Sequence, residues 1–137
     1  PFYYCPRSVM LFTVNLGKTG KPPGCQTDIV HLVSTVGQLV AQGVPWAISD
    51  GNAGAFHTLF DNKLTALDTL DWKAINATYW GAFGHQKAAE FLVRDFVPWG
   101  QFNEVACHNP TTEATVKKLL AAAGHATPVV VRKNWYF

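Results

Sequence analysis

The feature that most constrains the fold is a long run of residues without charge near the start of the chain. Residues 29–49 contain no Asp, Glu, Lys or Arg. A run of this length could be mistaken for a membrane span. It is too polar and too broken for a lipid-facing helix, because it includes His31, Ser34, Thr35, Gln38, Gln42, Gly43 and Pro45. The run therefore predicts buried protein interior, and no membrane partner is expected.

The composition supports a single well-packed domain. The chain has 137 residues, of which 48% are hydrophobic and 15% are charged; the usual charged fraction is about 25%. A chain of this length can bury about two-thirds of its unfolded surface. The net charge of +2 neither requires nor excludes a nucleic-acid partner. The three cysteines, Cys5, Cys25 and Cys107, are odd in number and form no C-x-x-C motif, which favours a reducing compartment and predicts a cytoplasmic location.

Strand and helix patterns alternate along the chain without a repeat or a linker. β-Branched and aromatic residues favour strands at residues 10–14, 28–33, 44–49, 91–93, 104–107 and 128–132. Glycine-rich loops or turns are expected at residues 17–24 and 50–54. This alternation predicts one domain of the mixed α/β or α+β class over residues 1–137.

Helix boundaries are marked by capping residues. Ser34 or Thr35 is expected to cap a short helix that ends at Gly43. Asn109 and Pro110 predict the N-cap and first residue of a second helix, which ends at Gly124. Residues 85–94 are expected to form a brief helical turn that leads into a strand.

Two familiar motifs are excluded by their spacing. Gly17-Lys18-Thr19 is not a phosphate-binding loop, because Phe12 stands where the required glycine would be. The His and Cys residues show no ligand spacing, and the adjacent Cys107 and His108 would point to opposite faces of a strand. No metal is expected.

Arg7 and Glu90 are the residues whose surroundings suggest chemistry. Arg7 lies at a Pro-Arg-Ser bend between apolar segments, where a guanidinium needs an anionic partner. Glu90 lies between two alanines and an apolar strand, where a carboxylate can be a working group. Composition alone favours a surface or structural role for both, so pattern and spacing do not establish a function.

With these residues in view, the sequence resembles the DarT family, the toxins of DarT–DarG toxin–antitoxin systems. The matching blocks are spread over the whole chain in the family's order: PFYYCPRSVMLFTV, DIVHLVS, VPWAISDGNA, LDTLDWKAI, KAAEFLVRDFVPW and RKNWYF. The resemblance implies an ADP-ribosyltransferase-like α+β fold with mixed β-sheets and short helices. It further implies NAD as substrate, thymine in single-stranded DNA as acceptor, and a macrodomain antitoxin of the DarG type as partner.

The resemblance also assigns residues. It implies that Glu90 is the catalytic glutamate and that Arg7 is the arginine that lies against NAD and assists removal of the base proton. Because arginine hardly ever releases its own proton, a phosphate clamp that also stabilises the thymine anion is preferred for Arg7. The segment before Glu90 corresponds to the loop that meets DNA. Its candidate DNA contacts are the aromatic residues Tyr79, Trp80 and Phe83 and the cations Lys73, Lys87 and Arg94.

Two departures from the family pattern leave alternatives open. Ala88 replaces the Gln that usually stands two places before the catalytic Glu, and the chain begins at Pro1, after the family's N-terminal His-containing NAD motif. The chain is thus expected to represent the C-terminal two-thirds of the domain, with the fold incomplete at its N-terminus. The rival functions are an inactive fragment that binds single-stranded DNA or the antitoxin, and a transferase that modifies protein.

Overall fold

The structure, a computed structural model, describes all 137 residues. Its strands are short: β1 (Phe2–Tyr3), β2 (His31–Val33), β3 (Trp46–Ser49), β4 (Phe60–Asp61), β5 (Glu90–Val93), β6 (Glu104–Cys107) and β7 (Val129–Val131). The α-helices are α1 (Val9–Asn15), α2 (Val36–Ala41), α3 (Trp72–Asn76), α4 (Gly84–Lys87) and α5 (Pro110–Ala122). Single 3₁₀ segments occupy Cys25–Asp28, Leu64–Thr69, Trp99–Gln101 and Lys133–Trp135.

The strands form two separate sheets. The first has the order β1-β5-β3-β4 and is antiparallel throughout. The second has the order β2-β6-β7, with β2 antiparallel and β7 parallel to the central strand β6. The α+β class with mixed sheets and short helices is therefore confirmed. No helix is both long and apolar enough to cross a membrane.

The register of the first sheet places Glu90 between two neighbouring strands. Glu90 is opposite Tyr3 of β1 on one side and opposite Ser49 of β3 on the other. The same three strands contribute to the larger hydrophobic core, in which Ile48 and Phe91 are almost fully buried. Glu90 thus begins a central strand whose next residue is anchored in the core, and this fixes its backbone.

The first predicted strand is wrong. Residues 10–14 belong to helix α1, although their β-branched and aromatic side chains favour a strand. The deciding signal is Ser8, whose side chain accepts a hydrogen bond from the backbone N–H of Leu11 at 3.2 Å. An N-cap of this kind satisfies a donor that the first helical turn would otherwise leave unpaired.

The later elements agree with the sequence patterns, except that the strand predicted at residues 28–33 is shorter. Asp28 ends a 3₁₀ segment, and only His31–Val33 pair with β6. Thr35 caps α2, and Asn109 caps α5 by accepting from the N–H of Thr112 at 2.9 Å. Strand β6 has the predicted bounds, and the turn after β3 and the helical turn before β5 are present. Gly124 follows α5 with φ +74°, a left-handed conformation that glycine adopts without strain.

Candidate active site

Glu90 is buried, with 3% of its surface exposed. A buried carboxylate needs hydrogen-bond donors to offset the loss of water. The backbone N–H of Ala53 donates to Oε2 at 3.2 Å, and the side-chain Nδ2 of Asn52 lies 3.5 Å from Oε1. Both donors come from residues 50–59, the segment between β3 and β4, which we call the carboxylate loop.

The backbone of Glu90 is held by Ser49. The Ser49 hydroxyl accepts from the N–H of Glu90 at 3.1 Å and donates to the carbonyl of Gly51 at 2.7 Å. Ser49 is completely buried, so water cannot replace these bonds. One side chain therefore joins the strand that carries Glu90 to the start of the carboxylate loop.

Tyr3 lies on the other side of Glu90, and the charge of Glu90 affects the pKa of Tyr3. Burial is the main cause that raises the pKa of Tyr3 to about 12, and the negative charge of Glu90 and a hydrogen bond with it add to the shift. A tyrosine with this pKa is neutral at pH 7 and can donate its O–H to a carboxylate. The Glu90 carboxylate thus has donors from one strand and one loop around it.

Arg7 packs against the aromatic ring of Phe137. Its guanidinium carbon lies 4.6 Å from the centre of the Phe137 ring, and its Nε is buried without a hydrogen-bond partner. No ion pair joins Arg7 to Glu90, since the ion pairs of the structure involve other residues. Arg7 therefore presents a half-buried cation whose Nε donor is free.

Lys87 does not fit the expected DNA contact. Only 2% of its surface is exposed. Its ammonium donates to the carbonyl of Ile75 at 2.9 Å, lies 3.6 Å from the Cys5 sulfur and is 5.0 Å from the centre of the Trp80 ring. This cation is satisfied inside the fold and cannot reach a phosphate at the surface. It thereby connects Ile75, just before the segment 76–86, with Trp80 inside that segment.

The three aromatic residues Tyr79, Trp80 and Phe83 of that segment differ in their environment. Tyr79 is 91% exposed. Trp80 is half-buried and packs edge-to-face on Phe12 with ring centres 5.2 Å apart, and its ring centre lies 5.5 Å from that of Phe137. Phe83 is also exposed. Tyr79 and Phe83 are therefore free to stack on a base, whereas Trp80 is engaged in packing.

The remaining predicted cations are at the surface but differ in their distance from Glu90. Lys73 is exposed in α3, close in sequence to Tyr79. Arg94 is exposed at the opposite end of β5 from Glu90, and its Nε lies 3.4 Å from a carboxylate oxygen of Asp95. Four residues of strand span about 13 Å. Arg94 therefore lies well away from the carboxylate and is partly neutralised.

A cleft of about 590 Å³ opens beside the first sheet. Tyr3 and Phe91 contribute to its wall, but Glu90 and Arg7 do not. Three polar atoms at residues that line the cleft are buried without partners: Tyr4 Oη, His31 Nε2 and Ser34 Oγ. Burial lowers the pKa of His31. The cleft thus brings apolar walls and unpaired donors and acceptors close to the neighbours of Glu90.

Sequence reasoning missed the residues that hold Glu90. Ser49, Asn52 and Ala53 lie in the matching block VPWAISDGNA, but the pattern indicated only a strand and a turn. The contact between Ala53 and Glu90 joins positions 37 apart in the chain. No local signal reports such a contact. The only available hint was the presence of a polar turn in a block shared with the family.

Known proteins match this chain over its whole length. The family profile described as "ssDNA thymidine ADP-ribosyltransferase, DarT" matches residues 1–137. A DNA ADP-ribosyl transferase of Thermus aquaticus is 40% identical over 139 residues, covering 100% of this chain and 62% of the relative. The chain therefore spans less than two thirds of that relative's length.

Solved structures agree with the profile. The DarT of Thermus sp. 2.9 in complex with NAD+ superposes with a TM-score of 0.93 at 34% identity, covering 98% of this chain and 70% of that one. The same protein in complex with ADP-ribosylated single-stranded DNA gives a TM-score of 0.91 at 35% identity, covering 98% and 66%. The match of the family profile from the first residue to the last shows that the chain belongs to the DarT family.

Proposed function

We propose that this protein transfers ADP-ribose from NAD onto thymine bases of single-stranded DNA. The observation that carries the proposal is the buried Glu90 carboxylate, held by donors of the carboxylate loop in a fold that superposes on a DarT solved with NAD+. A relative of the same fold has been solved with ADP-ribosylated single-stranded DNA. Residues 1–137 are proposed to be the C-terminal two-thirds of the domain that carries this chemistry.

Glu90 is the catalytic carboxylate of the proposal. The reaction breaks the bond between nicotinamide and the ribose C1′ atom, and the bonding pair leaves with nicotinamide. Positive charge then develops on the ribose ring, and a fixed negative group stabilises it most in the transition state. The bonds from Ala53 and Asn52 orient this carboxylate before substrate arrives, so no reorganisation is needed during the reaction.

Arg7 is proposed to bind the anionic part of NAD. Its Nε is a buried donor without a partner, and its guanidinium carbon lies 4.6 Å from the centre of the Phe137 ring, a contact that helps to hold the guanidinium in place. Phosphate oxygens match that fork in a bidentate manner. The same charge would stabilise the thymine anion when the ring nitrogen gives its proton to solvent and forms the bond to C1′ that replaces the one to nicotinamide.

The DNA surface of the proposal is centred on Tyr79. This ring is almost fully exposed, and an exposed aromatic can stack on an unpaired base. Phe83 and the cation of Lys73 extend the surface. Phe56, fully exposed on the carboxylate loop, offers a further ring on the segment that holds Glu90. Trp80 packs on Phe12 and Phe137 and so anchors the segment that carries Tyr79 and Phe83.

A protein partner is proposed from the family, and a cellular compartment is proposed from the cysteines. A macrodomain antitoxin of the DarG type is proposed as the protein partner, because the DarT family is paired with it. The cytoplasm is the proposed location, where NAD and DNA are both available and free thiols stay reduced. The three cysteines are free in the structure, which supports this proposal.

The test uses NAD labelled in its adenylate phosphate, so that the label follows ADP-ribose. The protein is incubated with this NAD and either a thymine-containing single-stranded oligonucleotide or a matched one without thymine. We expect label on the thymine oligonucleotide alone. Label on the protein alone would overturn the proposal in favour of protein modification. NAD binding by calorimetry without label on either would overturn it in favour of an inactive binding module.

A further inference from the structure

The carboxylate loop is closed on itself before it reaches Glu90. The backbone N–H of Asp50 donates to the carbonyl of Leu59 at 3.2 Å, and the N–H of Leu59 donates back to the Asp50 carboxylate at 2.9 Å. Inside the loop, the Thr58 hydroxyl donates to the Asn52 carbonyl at 2.6 Å. These bonds use the internal acceptors and leave the Ala53 N–H and the Asn52 amide for Glu90.

His85 contacts this loop on both of its arms. On the first arm its Nε2 lies 3.3 Å from the carboxylate oxygen of Asp50. Its ring also covers Gly51 so closely that a Cβ added there would lie 2.1 Å from a ring carbon. On the returning arm the ring of His57 packs on it with ring centres 4.4 Å apart. His85 is therefore inserted between the start and the return of the loop.

His85 lies close in sequence to the strand that carries Glu90. It lies in α4, five positions before Glu90, and the N–H of Ala88 donates to its carbonyl at 3.0 Å. Its side chain has no hydrogen bond with Glu90, so any effect on the carboxylate passes through the loop. Asp50, His57 and His85 also do not form a group suited to a metal ion.

We propose that His85 is a positioning residue that holds the carboxylate loop against Glu90 through Asp50 and Gly51. The inference rests on the proposed function only in taking Glu90 as the reacting carboxylate. Without the His85 ring, the first arm of the loop loses its cover at Gly51 and its polar contact at Asp50. The Ala53 N–H then spends more time away from Glu90, and the carboxylate loses orientation.

The direct readout is hydrogen exchange of the Ala53 amide, followed by NMR in the protein without substrate. We expect His85→Ala to speed this exchange about tenfold, the factor that loss of an interaction of hydrogen-bond size produces. The rate of ADP-ribose transfer should fall by a similar factor, with the KM for NAD unchanged. His125→Ala is the matched control, because His125 also packs on an aromatic ring, that of Trp99, but in the other half of the fold.

A double-mutant cycle tests whether the effect runs through the contact with Gly51. Gly51→Ala introduces a Cβ where the His85 ring stands, so it should displace the ring and speed exchange at Ala53 as His85→Ala does. In the His85→Ala background, where the ring is gone, Gly51→Ala should add little. Equal effects of Gly51→Ala in both backgrounds would overturn the proposal.

A second variant covers the case in which His85→Ala does not fold. His85→Phe keeps a ring over Gly51. Its Ala53 amide should therefore exchange more slowly than that of Gly51→Ala, in which the ring is displaced. Unchanged Ala53 exchange in a folded His85→Ala protein would overturn the inference. Because exchange needs no substrate, it decides about His85 even if the wild-type protein transfers no label, a result that would overturn the proposed function alone.

Discussion

The hydroxyl of Ser49 serves the backbone of Glu90 across two neighbouring strands. It accepts from the Glu90 N–H at 3.1 Å, donates to the Gly51 carbonyl at 2.7 Å, and has the Glu90 carbonyl at 3.3 Å as a second acceptor. The strand pairing alone would set the register of Glu90 in the sheet. The hydroxyl in addition couples that position to the turn from which the carboxylate receives its donors.

Ser49→Ala should destabilise the fold. It leaves the buried N–H of Glu90 without its acceptor, and an unsatisfied buried group of this kind costs about 1–3 kcal/mol. The measurement is the free energy of unfolding in urea. Ser34→Ala is the control, because the buried Ser34 hydroxyl has no partner to lose. Equal losses for the two variants would show that the Ser49 bonds contribute nothing specific.

Lys87→Ala should lower the melting temperature rather than weaken DNA binding directly. The change removes a buried side chain and leaves the Ile75 carbonyl without its donor, which together should cost about 2 kcal/mol or more. Lys117→Ala is the surface control, since the exposed ion pair of Lys117 with Glu113 is worth about 0.3–0.5 kcal/mol. An unchanged melting temperature in Lys87→Ala, with reduced affinity for DNA, would restore Lys87 as a phosphate contact.

Tyr79→Ala should weaken binding of single-stranded DNA without affecting stability. Stacking of one base on an aromatic ring contributes about 1–3 kcal/mol, so the dissociation constant should rise about fivefold or more. Fluorescence anisotropy with a labelled oligonucleotide provides the measurement. Phe96→Ala is matched to it, because Phe96 is 70% exposed but follows the opposite end of β5 from Glu90. A similar loss in both variants would refute a stacking role specific to Tyr79.

The stability of the fold should fall as the pH decreases below 6.5, in part because of His31. Burial lowers the pKa of His31 below its ordinary value of 6.5, so the unfolded chain takes up the proton first. Stability is therefore fully present above pH 6.5 and is lost as the pH falls toward the folded pKa. His31→Phe keeps the ring that packs on Tyr136 and cannot titrate, so urea unfolding should show a shallower pH dependence. An identical pH dependence in both proteins would contradict this assignment.

Local signals in the sequence were sufficient for most elements but not for all of them. Asn109 and Pro110 predict the start of α5, because a cap and a fixed φ act within one turn. The pattern of residues 10–14 misleads, since the side chain of Ser8 outweighs the strand preference of the residues that follow it. Where a short helix and a short strand have similar side chains, the capping residue decides.

The site was only partly predictable for a different reason. Glu90 stands out in the sequence as a carboxylate among apolar neighbours, but the donors that orient it come from a loop 37 positions away. Lys87 illustrates the opposite error. Lysine is almost always exposed. The burial of Lys87 depends on Cys5, Ile75 and Trp80, which lie 82, 12 and seven positions before it in the chain. Such contacts arise only when the chain is folded.

The charge of Glu90 is the central element of the proposed chemistry, and Glu90→Gln removes it with little change in size. The measurement is the single-turnover rate of ADP-ribose transfer from labelled NAD to a thymine-containing oligonucleotide, in wild-type and variant proteins of equal melting temperature. A fixed group that stabilises transition-state charge contributes about 10²–10³-fold, so we expect the rate to fall by at least about a hundredfold. Transfer by a folded Glu90→Gln protein at the wild-type rate would contradict the role of the Glu90 carboxylate.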